Sequence, residues 1–97
     1  MKYSVRFSPF AKEDKNDINT YLSKFYPKTP RRFNALLKEH IANLKDNPYI
    51  YPEYLENTNY RRMLVSNYFV FYKVNDAENQ IDIYRILRAS WDLPKYL

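Results

Sequence analysis

From Lys2 to Phe7 the chain sets Tyr3, Val5 and Phe7 on one side and polar residues on the other, the period-two pattern of a strand. Ser8-Pro9 then supplies an N-cap hydroxyl and a proline for the first helical position. Ile18, Tyr21, Leu22 and Phe25 fall at i, i+3, i+4 and i+7, which predicts an amphipathic helix through about Phe25, stopped by Pro27. Glu13 and Asp14 sit near its start, where the helix dipole favours acids. Thr29-Pro30 repeats the start signal. Phe33, Leu36, Leu37, His40, Ile41 and Leu44 then mark a second helix that Asn47-Pro48 ends. The short link makes the two helices an antiparallel hairpin.

Residues 48–59 read as a loop with aromatic anchors packed over the edge of the core. Three strands follow: Tyr60 to Val65, Tyr68 to Val74, and Ile81 to Leu87. Their connections, Ser66-Asn67 and Asn75-Asp76, are short, which predicts an antiparallel meander. Arg88 to Leu97, with Trp91, Asp92 and Pro94, is irregular or one helical turn. The predicted fold is α+β in the order β-α-α-β-β-β, with a helical hairpin on one face of a small twisted antiparallel sheet. Alternation puts Tyr68, Val70, Tyr72 and Val74 on one face and Phe69, Phe71 and Lys73 on the other. In the last strand it sets Ile81, Ile83, Arg85 and Leu87 against Asp82, Tyr84, Ile86 and Arg88. With the helices on one face, the other is expected to lie open and to carry Arg, Lys and aromatic side chains.

A chain of 97 residues bounds the whole at one domain, residues 1–97, with one modest core. No apolar run reaches the roughly 18 residues that span a membrane, and the N-terminus lacks a signal-peptide core. The expected location is cytoplasmic, with no membrane partner. The absence of cysteine fits that compartment and excludes disulfides and thiolate metal sites. The absence of glycine excludes phosphate-cradling loops and the dinucleotide fingerprint. Eleven tyrosines fit either a recognition surface or a genome rich in Lys, Asn, Ile and Tyr codons. The net charge of +5 suits nucleic acid or an acidic protein partner.

His40 lies in the apolar stripe of the second helix and reads as a core-edge residue. No second histidine or cysteine exists to complete a metal site, so neither metal nor cofactor is expected. Glu13 and Asp17 read as solvated helix acids rather than an acid–base pair. The stronger signal is cationic: Arg61-Arg62, Lys73, Arg85 and Arg88 lie on neighbouring strands, where they can converge. They could clamp a phosphate or carboxylate, or form cross-strand ion pairs with acids such as Asp82 and Asp92. One arginine of each pair is expected to face the helices and need an internal partner. Arg61, Lys73, Tyr84, Arg88 and Trp91 are the candidate target-binding residues; Arg61, Lys73 and Arg88 would be the catalytic candidates in a nuclease.

The stretches Tyr60–Val74 and Ile81–Arg88, closed by Asp92, resemble the sheet of RelE/ParE-family toxins. Shared features are a Tyr-Arg-Arg strand, a small turn, a Tyr-x-Val-x-Tyr strand, an Ile-x-Arg-x-Leu strand and a near-terminal Asp. Ser8-Pro9, Asp14, Ile18 and Tyr21-Leu22 extend the resemblance toward the N-terminus. It implies the toxin of a bacterial type II toxin–antitoxin pair, silenced by a cognate antitoxin, that either inhibits DNA gyrase or cleaves mRNA on the ribosome. The ribonuclease members carry cations that this chain replaces. Phe69 stands for an arginine, Met63 for one of two lysine positions with Arg61 at the other, Arg88 for a histidine and Ser90 for a following basic residue. RNA cleavage needs general acid–base help and charge stabilisation from such groups. A ParE-like, target-binding toxin is therefore the expectation. The alternatives are a RelE/YoeB-like endoribonuclease with altered residues and a degenerate, non-toxic binding module.

Overall fold

A computed structural model describes residues 3–25, 28–54 and 59–90 of the chain. Ser8 joins its first two elements, β1 (Ser4–Phe7) and α1 (Pro9–Phe25). Its hydroxyl accepts a hydrogen bond from the Ala11 N–H at 3.0 Å, the expected N-cap. The second helix, α2 (Thr29–Asp46), departs from expectation at its start: Lys28 takes the cap position with no side-chain hydrogen bond, and Pro30 lies in the first turn. Proline there needs no N–H partner, so the helix begins without the Thr29 cap. At the other end the Asn47 N–H reaches the Asn43 carbonyl, and Pro48 follows. Pro27, Trp91, Asp92 and Pro94 lie outside the described residues.

The remaining strands are β2 (Arg61–Val65), β3 (Tyr68–Asn75) and β4 (Gln80–Arg88), with one 3-10 turn at Asp76–Glu78. They form the expected meander. The sheet order is β1-β4-β3-β2, and β1 joins parallel to β4, so the whole sheet is mixed. Without glycine, the left-handed positions fall to Asn59, Ser66 and Asn79, at φ of 63°, 56° and 49°.

One irregularity alters the predicted faces. Phe71 pairs with Arg85 but Tyr72 pairs with Ile83, so Tyr84 is an extra residue in β4, a β-bulge. Beyond it the pleat reverses. Ile86, expected opposite Ile81 and Ile83, joins them in the core under the helices, while Leu87 turns to the other face beside Phe71. The bulge is held from outside the strand: the Ser8 hydroxyl donates to the Tyr84 carbonyl at 2.6 Å, and the Ile86 N–H donates to the Asp14 carboxylate at 3.0 Å.

The main core gathers Phe33, Leu37 and Leu44 of α2 with Ala11 and Ile18 of α1 over Met63, Val65, Val70, Tyr72 and Ile83. The opposite face is not bare as expected. Phe71 and Leu87 are wholly buried there, with Tyr54 and Phe69 packed against them. Residues 48–54 supply that cover and the predicted anchors: Tyr51 packs on the main core, and the Pro48 carbonyl accepts the buried Tyr72 hydroxyl at 2.8 Å. Tyr49 and Ile50 stay exposed. No helix among the described residues is long and apolar enough to cross a membrane.

Candidate functional site

Tyr21 extends the apolar stripe of α1 past the core and is 44% exposed. Its ring underlies Arg88, whose guanidinium carbon sits 4.9 Å from the ring centroid and whose Nη2 donates to the Tyr21 hydroxyl at 3.2 Å. That bond, the largest influence on the group, holds the Arg88 pKa above its ordinary value. Between the end of α1, the start of α2 and the Ser66-Asn67 turn lies a groove of about 460 Å³, lined among others by Tyr21, Arg32, Phe33, Leu36, Tyr68 and Arg88. A second hollow, of about 190 Å³, continues from it over Ile18 and Ile86 and shares Tyr21, Tyr68 and Arg88. Phe25 packs against Tyr21 with its ring tilted and centroids 5.2 Å apart and is 60% exposed, so apolar surface reaches the rim. The Arg88 guanidinium over the Tyr21 ring, with Arg32 lining the same groove, suits an anionic side chain flanked by apolar ones.

The other candidates sit elsewhere. Lys73 and Tyr84 meet on the face away from the helices through Tyr60: the Lys73 Nζ lies 4.2 Å from the Tyr60 centroid, and Tyr60 stacks on Tyr84 at 5.0 Å. Arg61 pairs with Tyr72 and so turns to the helix side at the sheet edge. There its Nη1 donates to the Tyr51 carbonyl at 2.6 Å, and its guanidinium covers Tyr49 at 4.8 Å. The expected single cationic face does not form. Arg61 pairs with Tyr72 and Arg88 with Tyr68, four residues apart on β3, roughly 13 Å along an extended strand. Lys73 points to the opposite side from both. The expectation that one arginine of each pair faces the helices with an internal partner holds for Arg61, whereas Arg85 and Arg88 both reach α1. Arg85 meets Asp14 at 2.7 Å and 3.0 Å, and Arg61 meets the Tyr51 carbonyl. Trp91 lies outside the described residues.

Residues 5–93 match the family described as "ParE toxin of type II toxin-antitoxin system, parDE". The chain belongs to the ParE toxin family. Its fold recurs in a chain of the chromosomal ParDE toxin–antitoxin system of P. aeruginosa, with TM-score 0.76 and 16% identity over 92% of this chain and 98% of that one. The RelBE2 toxin–antitoxin complex of Mycobacterium tuberculosis gives TM-score 0.67 and 18% identity over 91% and 99%. The intact E. coli RelBE complex gives 0.64 and 17% over 92% and 99%. At these identities the likeness is one of fold. No curated protein matches the chain by sequence.

In this ParE-family chain several groups that shape the surface escaped the sequence reading. Asp14, read as a dipole-compensating acid, is the clamp on Arg85 and Ile86. A signal existed: Asp14, Ile18 and Tyr21 are spaced i, i+4, i+7, so the acid lies in the apolar stripe and needs a partner. Arg32 and Tyr21 were invisible as groove residues because only the helix–sheet junction unites them with Arg88. His40 is half-buried on α2, with its Nδ1 2.8 Å from the Leu36 carbonyl.

Proposed function

We propose that this ParE-family toxin arrests growth in the cytoplasm by binding a large cellular target, DNA gyrase first among the candidates, and that a cognate antitoxin silences it. The observation that carries the reading is the separation of Arg61, Lys73 and Arg88. RNA cleavage needs a base, an acid and a charge-stabilising group within a few ångströms of one phosphate. Here one cation secures a loop, one lies on the far face and one lines a groove. Met63, at a position where ribonuclease relatives carry lysine, is wholly buried in the core. A binding toxin needs only a shaped surface, and the Arg88 groove offers one. The antitoxin is supported by the solved relatives, which are described as toxin–antitoxin systems and complexes.

The test is controlled expression in bacteria, with mRNA cleavage mapped beside a gyrase supercoiling assay. Growth arrest with lost supercoiling and no fresh mRNA cuts is the expected result. Codon-phased cuts with normal supercoiling would replace the reading with a ribonuclease. Unimpaired growth would make the chain a non-toxic binding module.

A further inference from the structure

The fold gathers cations that stand far apart in the chain. A hollow of about 390 Å³ is lined among others by Lys15 of α1 and by Lys38 and Lys45 of α2. A second, of about 550 Å³, carries Arg6, Lys12 and Lys15. Lys15 belongs to both, so the five cations border one continuous surface. Among the described residues no acid lines either hollow, and none of the five cations joins an ion pair. Asp82, which neighbours Arg6 across the sheet, accepts a hydrogen bond from Gln80 instead, at 2.5 Å.

The arginines of the sheet are engaged in a way these five are not. Asp14 holds Arg85, the Tyr51 carbonyl holds Arg61, and Arg62 lies over Tyr54 and Phe69. Of the five, Lys15 alone makes a comparable side-chain contact among the described residues, 5.9 Å over the Phe7 ring. Like charges held together without acids repel, and a polyanion relieves that repulsion. The spacing suits a regular one. Lys38 and Lys45 are seven residues apart, two turns or roughly 10 Å along α2. Duplex DNA carries a charge about every 1.7 Å of its axis, so a strip of that length meets several phosphates. Phe7, the one ring among the residues lining the two hollows, is half-buried beneath Lys15. Unpaired bases would therefore find little to stack on, which leaves the phosphates as the groups to be met.

We infer that the free toxin holds the phosphate backbone of duplex DNA on Arg6, Lys12, Lys15, Lys38 and Lys45. The contact is blind to sequence, because no side chain of the surface is set to read a base edge. The choice of duplex DNA rests on the reading of gyrase as the target, since gyrase works on duplex DNA; the chemistry of the surface does not. A toxin that grips both the enzyme and the DNA it holds gains from being bivalent.

The test is fluorescence anisotropy of a short labelled duplex DNA of mixed sequence, titrated with the full chain at several salt concentrations and without gyrase. Five phosphate contacts should lower the affinity by a few hundredfold, on the order of 10²–10³, between about 0.05 and 0.2 M salt. Lys12→Gln/Lys38→Gln, both exposed, should make the logarithmic salt slope shallower by about 2. Lys24→Gln/Lys28→Gln removes the same charge from exposed positions at the far end of α1 and should leave the slope unchanged. Equal changes in the two variants would assign the binding to diffuse charge and overturn the inference. A single-stranded RNA of the same length bound as tightly as the duplex would overturn it too. No binding at low salt overturns the DNA surface and leaves the gyrase reading to its own supercoiling assay. Binding with normal supercoiling upholds the surface and overturns the gyrase reading.

Discussion

Tyr72 carries a hydroxyl into the core, where the Pro48 carbonyl accepts it at 2.8 Å. Removing it in Tyr72→Phe leaves that carbonyl unpaired and should cost about 1–2 kcal/mol in urea denaturation. Burial pushes the Tyr72 pKa up to about 12, against an ordinary value of 10.0. A raised pKa means that the neutral form is favoured in the folded state. Its stability is complete below pH 10 and is lost as pH rises toward 12. Tyr49 is also pushed up to about 12, chiefly by donating to Asp76, so Tyr72→Phe should shrink the alkaline loss without abolishing it. Stability measured between pH 9 and 12 checks this. Ser66 holds φ at 56°, where an ordinary side chain is strained. Ser66→Gly should gain about 0.5 kcal/mol and Ser66→Val lose about 1 kcal/mol or more, read as shifts in denaturation midpoint.

Between elements, the contact that deserves a cycle of mutants is Asp14 with Arg85. It ties α1 to β4 where the bulge frees the Ile86 N–H, and the same carboxylate serves both groups. Both side chains are mostly shielded, at 12% and 20% exposure, so deleting one takes a shielded ionic partner from the other. Asp14→Ala should cost about 2–3 kcal/mol, and adding Arg85→Ala should cost less than the sum of the two single changes by about 1 kcal/mol. Equal, additive losses in a double-mutant cycle would mean that the pair is incidental. The Ser8 hydroxyl acts at the same junction, capping α1 with one hand and bonding the Tyr84 carbonyl with the other.

At the scale of the whole molecule, charge is the property a partner meets first. The chain carries +5, and five of its cations line two separate apolar hollows: Arg32 and Arg88 in the groove, and Lys15, Lys38 and Lys45 beside β1. An acidic partner should therefore be steered from a distance. The association rate should fall by about tenfold between roughly 0.05 and 0.5 M salt, with a much smaller change in dissociation. Stopped-flow or biosensor kinetics would show it; a salt-independent association rate would mean that the cations are only solvating the surface.

The order of elements, both helical stripes, the meander and most of the core were legible in the sequence, because period, caps and prolines act between residues close along the chain. Ser8, Pro9 and the stripe from Ile18 to Phe25 need no distant partner to declare a helix. Three things were decided only in the folded chain: where β1 joins the sheet, the reversed pleat after Tyr84, and the dispersal of Arg61, Lys73 and Arg88. The physical reason is common to all three. Nothing within Ile81–Arg88 announces an extra residue, since the groups that make the bulge affordable, Ser8 and Asp14, arrive from more than seventy positions away. A one-residue slip then reassigns every later side chain, and with it the face on which Arg88 meets the world.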